Sequence, residues 1–149
     1  MKKAFIYVGH SNWGKSFTLK EITNGNPFKK TVQINQQWVW VRKMSNDDTA
    51  VGLLNFAKTI PNLNYQNFIL AYCPNQNNDQ MAMDILNELQ QHCDLYFFVQ
   101  EEKFGNSNVK ISTQEITPLN NFGTVQILTG QNNNIVRAQE FHKFIQLYI

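Results

Sequence analysis

Four residues with fixed spacing near the start of the chain have the chemistry of a phosphate-binding turn. Gly9 and Gly14 flank four residues, and Lys15 and Ser16 follow directly. Glycine permits a tight turn that points successive amides at one anion, and a helix beginning at Lys15 adds a positive N-terminal dipole. Lys15 would reach the outer phosphates of a nucleoside triphosphate as the catalytic cation, and the Ser16 hydroxyl would hold Mg²⁺.

The other residues of this loop complete the predicted nucleotide site. Their backbone amides are expected to surround the phosphates, whatever side chains they carry. The predicted nucleotide contacts are Gly9, His10, Ser11, Asn12, Trp13, Gly14, Lys15, Ser16 and Phe17. His10 is also able to touch phosphate and Trp13 to cover a nucleotide, although packing around the loop explains both equally well.

The pattern Gly9-x-x-x-x-Gly14-Lys15-Ser16 resembles the phosphate-binding loop of P-loop NTPases. The motif covers only residues 9–16, and the order of strands and helices extends the likeness less specifically. The resemblance implies a Rossmann-like sandwich that binds ATP or GTP with Mg²⁺. The Asn-Lys-x-Asp sequence with which GTPases read their base is missing, so ATP is favoured over GTP.

One acid that P-loop NTPases place after a buried strand is missing from the expected position. Cys73 follows the best strand sequence, residues 68–72, and Gln100 follows residues 95–99. Four acids elsewhere are candidates for this role: Asp47, Asp48, Asp79 and Glu101. The departure weakens the prediction of hydrolysis more than the prediction of nucleotide binding.

A second polar segment, residues 42–49, follows a predicted strand and carries the remaining catalytic candidates. Asp47 or Asp48 is a candidate base or Mg²⁺ partner, and Arg42 a candidate grip for an anionic acceptor. The other interpretation is a helix N-terminus with solvated charges, which the order Asn-Asp-Asp-Thr also fits. Arg137, the second of two arginines, is predicted to lie on a solvated helix face.

Apolar runs alternate with amphipathic stretches along the chain, which predicts strands alternating with helices. The predicted strands cover residues 4–8, 31–34, 38–43, 68–72, 95–99 and 125–128, with the second and third forming one strand or a hairpin. The predicted helices cover residues 15–23, 79–92 and 135–148, and a further helix carries Val51, Leu54 and Lys58 and ends at Pro61. Residues 101–122 are a lid, an edge strand over 109–116 or a loop.

This alternation predicts a single domain over residues 1–149, a three-layer α/β/α sandwich with a mostly parallel, Rossmann-like sheet. Ligands bind where the carboxyl ends of such strands meet. The segments expected at that edge are Gly9 and residues 42–48, 73–79, 101–102 and 129–134.

The charge and composition of the chain limit the kinds of binding partner and the cellular location that we expect. A net charge of +2 without a basic stripe gives no sign of nucleic acid as a ligand. No apolar run is long enough for a signal core or a membrane span, and the two cysteines read as buried thiols in a reducing compartment. A cytoplasmic location is therefore expected.

Three functions remain open from sequence. The leading hypothesis is a small Mg·ATP-binding protein that acts as an NTPase or small-molecule kinase. The alternative is a non-catalytic nucleotide-binding module that acts through a partner protein. A third is a degenerate loop that binds only phosphate or sulfate, or nothing.

Overall fold

The computed structural model describes residues 1–74 and 79–149 and confirms the predicted α/β class. The strands are β1 (Lys2–Val8), β2 (Thr31–Ile34), β3 (Gln37–Arg42), β4 (Asn67–Tyr72), β5 (Cys93–Gln100), β6 (Glu102–Lys103), β7 (Asn106–Lys110) and β8 (Gly123–Leu128). The helices are α1 (Lys15–Ile22), α2 (Ala50–Thr59), α3 (Asp79–His92), α4 (Thr113–Ile116) and α5 (Asn134–Tyr148). Short 3-10 helices follow α2 and α4, at Ile60–Asn62 and Thr117–Asn121.

The central sheet has the strand order β2-β3-β4-β1-β5-β8. β1 lies in the middle and pairs in parallel with β4 on one side and β5 on the other. β3 and β8 extend the parallel arrangement outward, and β2 pairs with β3 in the antiparallel sense. A central parallel strand is covered on both faces, which explains why residues 4–8 are apolar without alternation.

Helices cover both faces of this sheet and complete the predicted three layers. α1 and α5 pack on the face that carries Phe5 and Tyr7. α2 and α3 pack on the opposite face, which carries Ile6 and Val8. Each fully buried side chain of this size contributes roughly 1.5–3 kcal/mol to folding, so β1 anchors both cores.

The turn between β2 and β3 shows that residues 31–43 form a hairpin and not one strand. Asn35 and Gln36 both have positive φ angles, of 49° and 65°. Two consecutive residues of this kind make a type I′ turn, whose twist suits an antiparallel pair. The hairpin interpretation is therefore confirmed.

Residues 101–122 fold differently from the predicted edge strand. β6 and β7 form a separate two-stranded hairpin, and the chain then enters α4. The Ser112 side chain accepts a hydrogen bond from the Glu115 backbone N–H, and the Glu115 carboxylate accepts one from the Ser112 N–H. This capping box begins a helix, so the strand proposed for residues 109–116 is wrong.

The described segments that follow the parallel strands meet at one edge of the sheet, as predicted. Residues 9–14 follow β1, residues 43–49 follow β3, Glu101 follows β5 and residues 129–133 follow β8. Residues 75–78 of the predicted 73–79 segment lie outside the described residues.

Both cysteines are buried, and neither forms a disulfide among the described residues. Burial raises the pKa of the Cys93 thiol to about 11, which keeps that group protonated and unreactive at neutral pH. None of the described helices combines the length and apolar character needed to cross a membrane.

Candidate functional site

The 9–16 loop connects the carboxyl end of β1 to the start of α1. The Gly9 N–H donates to the Tyr72 carbonyl oxygen at 3.1 Å, which extends the pairing of β1 with β4. Asn12 and Gly14 have positive φ angles of 64° and 82°, and the chain then enters α1 at Lys15. Gly14 gives α1 no side-chain cap, so no side chain of that residue competes for the first-turn amides.

Lys15 is a buried cation with two partners. Its Nζ donates to the His10 carbonyl oxygen at 2.8 Å and to Asp47 Oδ2 at 3.2 Å. Only 5% of the lysine side chain is exposed, and the aspartate is nearly as well buried. The structure thus brings together two residues, far apart in the sequence, that the sequence analysis assigns to catalysis.

The second carboxylate oxygen of Asp47 is the clearest unsatisfied group at the site. Oδ1 is buried and has no hydrogen-bond partner within the described residues. An unpaired buried acceptor of this kind costs about 1–3 kcal/mol, so its position calls for a cation or a donor. Mg²⁺ prefers carboxylate and hydroxyl oxygens, and Ser16, exposed in the first turn of α1, offers the hydroxyl.

These groups fit a magnesium ion only in combination with a ligand. The described residues contain no cluster of three or more His, Cys, Asp or Glu side chains that would hold a metal alone. Mg²⁺ usually keeps several waters and binds through one or two protein groups plus substrate phosphates. Asp47 and Ser16 match that donor set.

The β3–α2 connection that carries Asp47 is fixed to the end of β4 by Asn46. The Asn46 Nδ2 donates to the Cys73 carbonyl oxygen at 2.8 Å, and its Oδ1 accepts from the Cys73 N–H at 2.6 Å. The Ser45 hydroxyl accepts from the Asp47 N–H at 3.2 Å. Asn46 is a positioning residue that sequence reasoning did not single out, because an Asn before a helix looks like a cap.

The cap of α2 is Thr49, whose side chain accepts from the Gly52 N–H at 3.0 Å. Asp48 is exposed and accepts from the Ser45 N–H at 3.0 Å, as an acid in a solvated loop does. The solvated-charge interpretation therefore describes Asp48 but not the buried Asp47.

Arg137 is buried behind the loop, so the prediction of a solvated helix face is wrong. Its guanidinium donates from Nε to Thr18 Oγ1 at 2.9 Å, from Nη1 to the Asn132 carbonyl at 2.7 Å and from Nη2 to the Gly14 carbonyl at 3.3 Å. Only 3% of the residue is exposed. Arg137 lies near the N-terminus of α5, and the packing of α5 against α1 covers the arginine side chain.

Gly14 has two reasons to be glycine. Its φ angle of 82° is one that residues with a side chain rarely adopt. A Cβ atom there would also lie 2.8 Å from Arg137 Nη2, closer than packed atoms approach. The sequence shows the need for a tight turn but gives no sign of the arginine.

His10 and Trp13 brace the loop from the other side. His10 Nε2 lies 2.6 Å from Glu115 Oε2, and its ring centroid lies 4.8 Å from that of Trp13. Trp13 is buried in the core beneath α2 and α3. Burial raises the pKa of Glu115, but hydrogen bonds from Ser112 and His10 outweigh it and hold the pKa below its ordinary value.

A cavity of about 540 Å³, the loop cavity, opens over the 9–16 loop. This volume lies within the range of small-molecule sites. Its lining consists of Asn12, Trp13, Gly14, Lys15, Ser16, Phe17, Lys43, Asp47, Asp48, Lys103, Phe104, Asn134 and Arg137. Of the predicted contacts, Gly9, His10 and Ser11 are not in this lining, and neither is Glu101. The side chain of Asp79 lies outside the described part of the structure.

The wall opposite the loop comes from the β6–β7 hairpin, which contributes Lys103 and Phe104. Gln131 holds this hairpin by accepting from the Gly105 N–H at 2.7 Å and donating to the Lys103 carbonyl at 3.0 Å. The sequence analysis left the structure of this segment open. Gly105 is a turn signal in the sequence, and its φ angle of 90° fits the turn between β6 and β7.

Comparison with known proteins gives the fold and no closer relationship. No protein-family model matches the chain, and no curated protein sequence matches it. A de novo designed protein of a P-loop fold, solved by solution NMR, aligns with a TM-score of 0.57 at 8% identity, over 98% of this chain and 92% of its own. A second designed protein, described as having a P-loop NTPase fold, aligns with a TM-score of 0.52 at 13% identity, over 97% and 91% of the two chains. The chain thus has the fold of P-loop NTPases.

Proposed function

We propose that this chain binds the magnesium complex of a nucleoside triphosphate, ATP in preference to GTP, in the loop cavity. The observation that carries the proposal is the buried Lys15–Asp47 pair at the start of α1, with Asp47 Oδ1 left without a partner. A triphosphate would replace Asp47 as the counterion of Lys15, and the released carboxylate would face the metal.

The roles of the other residues follow from their positions. The amides of residues 12–16 surround the phosphates, and Lys15 neutralises their charge, in the way that suits phosphoryl transfer. Bound Mg²⁺ would supply further charge neutralisation, held by Ser16 and Asp47. Phe17 and Phe104 are exposed aromatic side chains in the lining, 63% and 53% accessible, which favours stacking on a nucleotide base.

We extend the proposal to phosphoryl transfer from the bound nucleotide. Asp48 is an exposed carboxylate in the cavity wall, which supports it as the group that accepts a proton from the attacking hydroxyl. The attacking group is water in an NTPase and the hydroxyl of a small molecule in a kinase.

A second candidate function is a nucleotide-binding module without turnover. The observation that favours it is the end of β4, where Cys73 and Pro74 stand in place of an acid and Cys73 is tied to Asn46. Such a module would act through a partner protein whose binding changes with the nucleotide state.

The test is isothermal titration of the chain with Mg·ATP and Mg·GTP, together with Lys15→Ala and, as a matched control on the same helix, Lys20→Ala. We expect saturable binding by the wild type and Lys20→Ala, and none by Lys15→Ala. At a hundredfold excess over the dissociation constant, ATP should stabilise the fold by about 2.7 kcal/mol. Equal binding by Lys15→Ala, or none by the wild type, would contradict the proposal.

Asp47→Asn separates a metal partner from a simple counterion. With Mg²⁺ present, we expect this variant to bind ATP more weakly, since a metal ligand is lost. Without Mg²⁺, we expect it to bind ATP more tightly than the wild type does, because Lys15 no longer has a competing carboxylate. Binding that is unchanged under both conditions would exclude Asp47 from the site. ADP formation and phosphate release, both measured with and without added acceptors, then distinguish the three: a hydrolase forms both products without an acceptor, a kinase forms ADP only when an acceptor is present, and a binding module forms neither.

A further inference from the structure

A second cavity, the β3 groove, lies beside the loop cavity and encloses about 410 Å³. It is lined by the segment before β2, the end of β3 and one side of α2. β2 pairs with β3 only as far as Trp40, so the last residues of β3 extend past their edge neighbour. The groove occupies the space beside the end of β3 where β2 no longer pairs with it.

Aromatic and apolar side chains form most of the groove. Phe28 is 87% exposed and Met44 about half exposed, so neither is packed within the chain. Trp40 and Phe56 are fixed from behind, by ring contacts to Tyr65 at 5.4 Å and to Phe68 at 6.3 Å. A flat ring placed here would bury the exposed apolar surface against two firmly held aromatic side chains.

The charged residues in the groove lining are all cations. Lys30, Arg42 and Lys43 line it, and none of the described residues in its lining is acidic. Burial lowers the pKa of Arg42, and the negative charge of Asp48 partly offsets that effect. Lys43 is held by a hydrogen bond from its Nζ to the Lys29 carbonyl oxygen at 2.5 Å.

Arg42 has an unused binding capacity. Its guanidinium carbon lies 5.6 Å from the centroid of the Phe56 ring, and its Nε is buried without an acceptor in the described residues. A guanidinium fixed against an aromatic face with part of its fork unpaired is suited to a planar anionic group.

We propose that the β3 groove binds a planar aromatic anion, that is, an aryl or heterocyclic ring carrying a phosphate, sulfonate or carboxylate group. The ring would lie between Phe28 and Phe56, and the anionic group would lie against Arg42 and Lys43. Lys43 lines both the groove and the loop cavity, so the bound anion lies beside the phosphate site. The proposal goes beyond nucleotide binding and does not depend on it.

The test uses naphthalene-1-sulfonate as the probe in isothermal titration, with neutral 1-naphthalenemethanol and ring-free methanesulfonate as comparison ligands. Phe28→Ser removes an aromatic side chain that is 87% exposed, and Phe104→Ser is the matched control at the loop cavity. We expect Phe28→Ser to weaken probe binding by about three- to tenfold and Phe104→Ser to leave it unchanged. We expect Arg42→Gln to weaken it by about tenfold.

Lys15→Ala keeps this test separate from the nucleotide test. A variant that loses ATP binding and retains the probe supports two independent sites. Loss of the probe in Lys15→Ala would put the anion in the loop cavity and overturn the proposal. Binding of the neutral alcohol as tightly as the sulfonate would also overturn it, and would indicate an apolar surface for a partner protein. A chain that binds the probe but no nucleotide would contradict only the proposed function.

Discussion

The two walls of the loop cavity are built in different ways. On one side, Lys15 and Arg137 are buried and each has fixed partners. Outside the cavity lining, the pairing of His10 with Glu115 braces the loop that carries Lys15. On the other side, the hairpin β6–β7 exposes every side chain of β7 and is tied to the neighbouring loop by Gln131.

This difference indicates that the two walls of the cavity contribute different properties to the site. Charged groups that are already held by fixed partners keep their positions, and the buried wall consists of such groups. A segment with few buried contacts opens at little cost in free energy, and the hairpin has that character. The comparison predicts that changes to the first wall affect stability and that changes to the second affect access.

The largest effect is expected from Arg137→Met. The variant removes the guanidinium donors to the Asn132 carbonyl oxygen and the Thr18 hydroxyl. It also removes one of the donors to the Gly14 carbonyl oxygen, which keeps those from the Thr18 N–H and hydroxyl. We expect the free energy of unfolding to fall by about 3 kcal/mol, measured by urea denaturation. Lys143→Met, at an exposed position of the same helix, is the control and should change it by less than about 0.5 kcal/mol. An equal loss in both variants would contradict the buried role of Arg137.

Gly14→Ala should have the next largest effect. It adds a strained φ angle and a Cβ atom 2.8 Å from Arg137 Nη2, and we expect a loss of about 2 kcal/mol. Gly25→Ala is a closely matched control, since Gly25 has a φ angle of 77° and nothing within 4 Å of its added Cβ. It should lose only about 1 kcal/mol, the cost of the backbone strain. If the two losses in denaturation are the same, the contact with Arg137 has no energetic weight.

Gln131→Ala tests the other wall. It removes both hydrogen bonds that join the hairpin to the loop after β8. We expect global stability to fall by less than about 1 kcal/mol, while amide hydrogen exchange over residues 102–110 becomes faster. Unchanged exchange in that segment would show that the two walls are equally rigid.

The smallest effect concerns pH and the His10–Glu115 contact. The folded-state pKa of Glu115 is below its ordinary value, so this group stabilises the fold above that value and ceases to do so as pH falls through the folded pKa. We therefore expect the stability gap between the wild type and Glu115→Gln to shrink on acidification, as measured by urea denaturation between about pH 6 and pH 3. Glu140→Gln, at a more exposed site, is the control and should change the free energy of unfolding by less than about 0.5 kcal/mol. A Glu115→Gln gap that stays constant on acidification would contradict the assigned pKa shift.

Local patterns in the sequence were sufficient to predict the main elements of the fold. The order of strands and helices and the turn at Gly9–Gly14 each depend on residues close together in the chain. The pairing of Lys15 with Asp47 and the burial of Arg137 depend on contacts between distant elements. Residues 101–122 were difficult because a short hairpin outside the main sheet has no buried face, and hence no apolar periodicity to read.

The central position of β1 has a consequence for synthesis on the ribosome. Both strands that pair with it, β4 and β5, are made long after it, and the sheet grows outward from it. Until Asn67–Tyr72 emerges, this apolar segment has two unpaired edges, and α3 and α5, one helix of each covering layer, have not been made. Such a state is prone to association with other chains. Lys2 and Lys3 add positive charge at its start, where like charges oppose the stacking of one nascent strand on another.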